Sequence, residues 1–160
     1  MRMMPVAAVA GVMSCLSACA PQSSQSFDPN DPAVIAVIDS LMNDAVQASR
    51  EVDAVGVMES MGTGENFTLV TGDVMLHGSE AVASAFADTY EGLLRQTSTV
   101  DETHTRLLTP NVAVFSAVGE GTYTDVAGWT SEPVGLGLTI IFVLEDGRWV
   151  GRVVHQSIAP

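Results

Sequence analysis

The sequence predicts an α+β domain, with helices in the first half of the chain and a sheet in the second. Two observations support this class. Apolar residues recur at helical spacing in the first half, and from about Thr97 onward the apolar period changes to two. The long late strands are also separated by short polar turns, which is typical of antiparallel pairing.

Two helices are predicted before residue 62. The first opens at Asp31-Pro32, because Asp suits the N-cap and Pro suits the first helical turn. Its apolar stripe continues to about Arg50. A second, short helix is predicted from Val52 to Met61, with Gly62 after it.

A small hairpin and a third helix follow. Phe67 to Val70 and Val74 to His77 are predicted to be short strands around a Thr-Gly-Asp turn. Ser79 is the predicted N-cap of the third helix. The apolar stripe of that helix is expected to include Leu93 and Leu94.

Four longer strands complete the predicted fold: Thr97 to Leu108, Val112 to Thr124, Val134 to Leu144 and Arg148 to Ile158. Glu145-Asp146-Gly147 predicts a tight hairpin between the last two strands. The run LGLTIIFVL, residues 136–144, is apolar on both faces, whereas a strand covered on one side alternates. We therefore expect helices on one face of this strand and a filled or partly hollow concavity on the other.

The first eighteen residues have the layout of a secretory signal. Arg2 supplies one positive charge, and the apolar run Pro5 to Ala18 is too short, at about 21 Å of helix, for a hydrocarbon core of about 30 Å. Leu16-Ser17-Ala18-Cys19 resembles the lipobox of bacterial lipoproteins. The resemblance implies cleavage before Cys19 and acylation of its thiol. Cys15, after Val-Met-Ser, is a poorer second candidate.

The lipoprotein resemblance also implies a location. Ala20 after the cysteine resembles the outer-membrane sorting pattern of two-membrane bacteria, which implies a lipid-anchored envelope protein at the periplasmic face of the outer membrane. Residues 19–30 contain little apolar material and are predicted to be a flexible tether, with one domain over 31–160. Both cysteines lie at the signal, so no disulfide is expected in the domain.

The chain is strongly acidic. Its formal net charge is −13, and it contains no lysine. Loss of residues 1–18 would leave five arginines against nineteen acidic residues, a formal charge of −14. A chain of this charge repels phosphate backbones and anionic headgroups, so we expect no nucleic-acid partner.

The order of elements and four short motifs resemble the nuclear transport factor 2-like superfamily, and within it the SnoaL-like domains. The motifs are Asp53 after the first helix, GSEAV at 78–82, TPNVAV at 109–114, and EDGRW at 145–149 running into HQS at 155–157. The resemblance covers residues 31–160. It implies a cone-shaped, curved, mixed or antiparallel sheet packed against about three helices, with an apolar pocket at the wide end. Members bind or convert small hydrophobic molecules, or serve as dimerisation modules.

Four residues are candidates for the pocket: His155, Tyr123, Trp129 and Trp149. By strand alternation, Trp149, Val153 and His155 share one face of the last strand. If that face lines the pocket, His155 orients a polar ligand or acts as an acid or base; a structural hydrogen-bonding role is the alternative. Tyr123, Trp129 and Trp149 are expected near the open end, as pocket walls or as a dimer face, with core filling favoured for Trp149.

The sequence favours binding over catalysis. Related isomerases place a carboxylate on the first strand, but residues 67–70 read FTLV, and Asp73 lies in a turn. His77, His104 and His155 come from separate strands without ligand spacing, so neither a metal nor a cofactor is expected. We expect a lipid-anchored protein that binds a small apolar molecule or a protein partner, or that pairs through its sheet as a homodimer. The alternative is a lyase, isomerase or hydrolase with His155 as acid–base.

Overall fold

The computed structural model describes residues 27–59 and 61–159. It contains three helices and six strands: α1 (Pro32–Arg50), α2 (Ala54–Glu59), β1 (Thr68–Thr71), β2 (Val74–His77), α3 (Ser79–Glu91), β3 (Leu93–Thr109), β4 (Val112–Asp125), β5 (Val134–Glu145) and β6 (Arg148–Ala159). The strands form one mixed sheet in the order β2-β1-β6-β5-β4-β3. Among the six described strands, only β1 and β6 pair in parallel. The predicted α+β class is confirmed.

The expected signal and lipidation site lie outside the described residues. Cys15, Cys19 and the tether as far as residue 26 are therefore not located by the structure. The last tether residues contact the sheet, because the amide of Leu107 donates to the carbonyl oxygen of Pro29 at 2.9 Å. Within the described ranges, no helix combines the length and the hydropathy needed to cross a membrane.

Helix α1 forms as the sequence predicts. The carboxylate of Asp31 accepts a hydrogen bond from the Ala33 amide at 2.9 Å, and Pro32 occupies the first helical position. The buried residues Ile38, Met42 and Ala45 recur at helical spacing and face the sheet. The apolar stripe that predicts this helix is therefore also the face that it buries in the core.

The start of α3 is shifted by one residue from its prediction. Gly78 is the N-cap, with φ of 83°, and Ser79 is the first helical residue. The Ser79 hydroxyl instead accepts a hydrogen bond from the Gly64 amide at 2.9 Å. The predicted extension of α3 through Leu93 and Leu94 is wrong, because both residues begin β3, where Leu93 pairs with Asp125.

The predicted hairpin between β5 and β6 is confirmed. Asp146 and Gly147 have φ angles of 50° and 78°. Positive values at both central residues give the turn the twist that a two-residue hairpin prefers. This turn sets the register in which Glu145 pairs with Arg148.

All three helices pack on one face of the sheet, which we call the inner face. The core there is built around Ile38, Phe67, Val82, Ile140 and Phe142, each at most 1% exposed. No described element covers the opposite, outer face. Helices and concavity therefore share the inner face, which corrects the expectation that they lie on opposite sides of β5.

Candidate functional site

An apolar cavity of about 620 Å³ lies between the inner face of the sheet and the helices. Its volume is in the range that accommodates a small organic molecule. The helices supply Met42, Ala45, Val46, Val57, Ala85, Phe86 and Tyr90, and the sheet supplies Leu69, Leu76, Phe115, Ala117, Leu136, Leu138, Ile140 and Val154. The cavity is thus walled by side chains of the same two layers that form the core.

The inward side chains of β6 show the depth of the cavity. Val154, at 5% exposed, belongs to the floor, Gln156 is half-buried, and Ile158, at 55% exposed, stands at the mouth. Val74 and Val118 are also exposed lining residues. The mouth is therefore apolar as well as the interior.

No described lining residue carries a charge or an imidazole. The polar side chains of the lining are Ser49, Thr71, Thr89, Gln96, Ser98, Thr99 and Gln156, together with the hydroxyls of Tyr90 and Tyr123. A charge entering such a site would be desolvated without an ionic partner. The described lining residues also offer no carboxylate or imidazole for proton transfer near neutral pH.

Two glutamines in the lining have unused hydrogen-bonding capacity. The Tyr90 hydroxyl donates to Ser49 Oγ at 3.4 Å, and the Thr89 hydroxyl donates to the Ala85 carbonyl at 2.7 Å. Among the described residues, by contrast, the side-chain amides of Gln96 and Gln156 have no hydrogen-bond partner. Each amide keeps a donor and an acceptor for a third molecule or for water.

His155 lies on the outer face and does not line the cavity. Ile141 pairs with Val153, but Phe142 pairs with Gly151, so Arg152 is an extra residue in β6. This β-bulge shifts the alternation by one. The predicted shared face is therefore wrong: Trp149 faces the helices, whereas Val153 and His155 face the other side.

The three predicted aromatics have three different positions. Tyr123 lines the cavity at its mouth and is 39% exposed. Trp129 is outside the lining, but its ring packs edge-on against Tyr123 with centroids 5.7 Å apart. Trp149 is buried in the core and does not line the cavity, which corrects its placement as a pocket wall.

The histidines share the outer face without forming a metal site. His104 and His155 both border an open depression there, in a cross-strand row with Ser116 and Thr139. His77 lies 3.3 Å from the hydroxyl of Thr68, measured from Nδ1. In the part of the chain that the structure describes, no three His, Cys, Asp or Glu side chains converge to hold a metal ion.

The two perturbed pKa values belong to a pair outside the cavity lining. Hydrogen bonds from Arg152 lower the pKa of the Glu145 carboxyl, and the same bonds raise the pKa of Arg152. Arg152 Nη1 also donates to the Thr63 carbonyl at 2.9 Å. This pair therefore fastens the loop before β1 to the end of β5.

The glutamine that faces the cavity lies directly beside the predicted histidine. Simple alternation directs His155 toward the pocket and Gln156 away from it, and the bulge reverses both. The sequence feature that could have indicated this bulge is Gly151, because a glycine inside a strand often marks a bulge. Gln96 is not among the predicted cavity residues, because the sequence pattern predicts that β3 begins at Thr97. The strand begins at Leu93, which places Gln96 within the sheet.

The chain matches no family model and no curated protein sequence. Solved structures do resemble it. A nuclear transport factor 2-like superfamily protein from Salmonella enterica serovar Typhimurium superposes with a TM-score of 0.73 at 14% identity, over 81% of this chain and 93% of that one.

Two further structures show the same arrangement. A ketosteroid isomerase-like protein from Erwinia carotovora gives a TM-score of 0.66 at 17% identity, over 84% of this chain and 99% of its own. A protein of unknown function from Shewanella oneidensis gives 0.61 at 19% identity, over 78% and 98%. With its mixed sheet and three helices, the chain has the nuclear transport factor 2-like fold.

Proposed function

We propose that this protein binds a small apolar molecule in the inner-face cavity, as a SnoaL-like binding domain, without converting it. The observation that supports this proposal is a cavity of about 620 Å³ whose described lining is mostly apolar and carries no charge. Desolvation of an apolar guest, at about 25 cal/mol per Å² of buried surface, provides the driving force.

The same lining argues against the enzymatic alternative. Isomerisation beside a carbonyl needs a base within hydrogen-bond reach of the proton that moves. His155, the candidate acid–base, stands on the outer face, and the described lining supplies no substitute. The likeness to the Erwinia protein supports a shared scaffold, because the chemistry of a site depends on its residues and not on its fold.

A cavity-filling variant tests the binding proposal. N-phenyl-1-naphthylamine, a neutral probe whose fluorescence rises in apolar surroundings, should bind the purified full chain with micromolar affinity. Ala117→Phe adds a ring on the inner face and should weaken this binding at least tenfold. Ser116→Phe adds the same ring to the neighbouring outer-face residue and should change the affinity less than threefold.

Two outcomes would contradict the binding proposal. The first is an absence of probe fluorescence enhancement with the folded wild-type chain. The second is equal loss of binding in both phenylalanine variants, which would place the probe elsewhere. Turnover of a small carbonyl compound that depends on His155 would instead revive the enzymatic alternative.

We also propose that the domain is held at a membrane by lipid on Cys19, at the periplasmic face of the outer membrane. The lipobox-like Leu16 to Cys19 and Ala20 support this location. Mass spectrometry of the protein from bacterial membranes should find an acylated N-terminal Cys19, and Cys19→Ala should abolish the modification while Cys15→Ala leaves it. An unmodified Cys19 with residues 1–18 still attached would contradict the anchor.

The outer face supports a homodimer as a further role of the sheet. Met75, at 58% exposed, and Val153, at 37%, lie on this face with the half-buried Val70 and Ile141, and no described element covers them. These four apolar side chains form a patch that also includes Thr68 and His155, and exposed apolar side chains grouped in this way are typical of an interaction site. A two-fold pair would bury the same patch on both copies.

A further inference from the structure

We propose that the cavity selects uncharged ligands, and that the Gln156 amide holds a hydroxyl or carbonyl group on an otherwise apolar body. This inference rests on the proposed binding function and adds the chemical class of the ligand. It excludes ionised fatty acids and other apolar anions, because no described lining residue balances their charge.

Charge selection follows from the composition of the lining. An ion buried without a partner loses its hydration without compensation, and no described lining residue offers a counter-charge. For anions the overall field adds to this cost, because the chain has a net charge of −13. A neutral ligand meets neither penalty.

Gln156 is a polar group of the cavity lining. It projects inward between Val154 at the floor and Ile158 at the mouth, about 7 Å along β6 from either residue. Its inward neighbours in the register are Thr71 on β1 and Leu138 on β5. Its amide is therefore at mid-depth, with apolar walls below and above it.

An unpaired amide at this depth favours binding of a ligand with a polar group over binding of a hydrocarbon. Among described residues the Gln156 side chain has no hydrogen-bond partner, so a bound hydrocarbon would desolvate it without compensation. A hydroxyl can both donate to and accept from the amide, and a carbonyl can accept from it. The ligand class is therefore a neutral amphiphile with its polar group near one side of an apolar skeleton.

A matched pair of fluorescent probes tests the charge selection. N-phenyl-1-naphthylamine and 1-anilinonaphthalene-8-sulfonate share one skeleton and differ by a sulfonate. The neutral probe should bind the purified full chain at least twentyfold more tightly at pH 8. The preference should persist in 0.5 M NaCl, because salt screens the net charge of the protein but not the cost of burying an ion.

Competition by simple amphiphiles tests the role of Gln156. 1-Decanol should displace the neutral probe at a concentration at least tenfold lower than decanoate or decyltrimethylammonium. Gln156→Leu should weaken displacement by decanol at least fivefold, measured relative to the affinity of the same variant for the probe. Ser157→Ala, on the same strand but on the outer face, should leave both affinities unchanged.

The outcomes separate this inference from the binding function beneath it. Equal affinity for the two probes, or equal displacement by decanol and decanoate, would overturn charge selection while leaving a binding cavity. An unchanged decanol affinity in Gln156→Leu would overturn the role of the amide. Failure of the neutral probe to bind at all would overturn the binding function and this inference together.

Discussion

Arg152 binds Glu145 through two guanidinium nitrogens. Nε donates to Oε1 at 2.7 Å, and Nη2 donates to Oε2. Because Arg152 is the extra residue of the β6 bulge, this pair stands where the alternation of the strand shifts. The same guanidinium holds the Thr63 carbonyl, so one side chain links β5, β6 and the loop before β1.

The Arg152–Glu145 pair predicts a pH-dependent contribution to stability. The pKa of Glu145 is lowered in the folded state, so the pair stabilises the fold above the ordinary pKa of a glutamate and loses this effect as the pH falls through the lowered value. Glu145→Gln should therefore lower the urea midpoint at pH 7. The gap between variant and wild type should narrow as the pH is lowered from 7 to 3, because protonation of the carboxylate removes its charge.

An exposed glutamate provides the control for this prediction. Glu65→Gln, in the loop between α2 and β1, should leave the midpoint unchanged at both pH values. The expected loss for Glu145→Gln is small, because the carboxylate side chain is 40% exposed and solvent screens the pair. A gap of the same size at pH 3 and pH 7 would show that the charge of Glu145 is not responsible.

Replacing Gly119 with alanine should strongly destabilise the sheet. A Cβ built at this position would lie 2.0 Å from the carbonyl oxygen of Thr99, a backbone atom on the neighbouring strand β3. Strand β3 has a register shift between Val100 and Glu102 next to this contact. Gly119→Ala must displace one of two paired backbones, so it should reduce the free energy of unfolding by about 2–4 kcal/mol in urea titration.

Gly92→Ala is the matched control for Gly119→Ala. The nearest atom to a Cβ at Gly92 is the Thr89 carbonyl oxygen, at an ordinary 3.9 Å. Its φ of −84° also suits alanine, so this variant should stay within about 1 kcal/mol of wild type or be slightly more stable. Similar losses in the two variants would refute close backbone approach as the reason for glycine at 119.

Features determined by local chemistry could be read from the sequence. The N-cap at Asp31, the stripe of α1 and the turn at Asp146-Gly147 each depend on residues within a few positions of one another. Their predicted and observed positions therefore agree. The antiparallel order of the last four strands follows in turn from the short connections between them.

The inward-facing residues of β6 could not be read in the same way. Arg152, the extra residue of the bulge, contacts Glu145 and the Thr63 carbonyl, and the latter is remote in sequence. One extra residue exchanged His155 for Gln156 in the cavity, whereas Trp149, which precedes the bulge, stays on the inner face and packs in the core. The period of two divides the side chains of a strand between its two faces, but it does not show which face packs against the helices.

The positions of Tyr123 and Trp129 predict that alanine substitutions at these two residues affect ligand binding unequally. Tyr123 lines the cavity, whereas Trp129 packs against the tyrosine ring from outside the lining. Tyr123→Ala should weaken binding of N-phenyl-1-naphthylamine three- to tenfold, because it removes an aromatic wall. Trp129→Ala should weaken it less than threefold. A larger effect from Trp129→Ala would show that the indole reaches the probe itself.

Dimerisation through the outer face predicts that one charge will dissociate the pair. Val153 lies between Ile141 on β5 and Thr68 on β1 in the register, so its side chain projects from the middle of the apolar patch. Two-fold symmetry places each substitution at the interface twice. Light scattering of the purified wild-type chain at micromolar concentration should give twice the chain mass, and Val153→Asp should give the mass of one chain.

The control for dimerisation is a valine away from this patch. Val126, in the loop after β4, is 69% exposed, so Val126→Asp adds the same charge to a surface that the dimer leaves open. Its mass should remain that of two chains, and both variants should keep the far-UV circular dichroism of wild type. A single-chain mass for the wild type at micromolar concentration, or dissociation by both substitutions alike, would rule out the outer face as the specific interface.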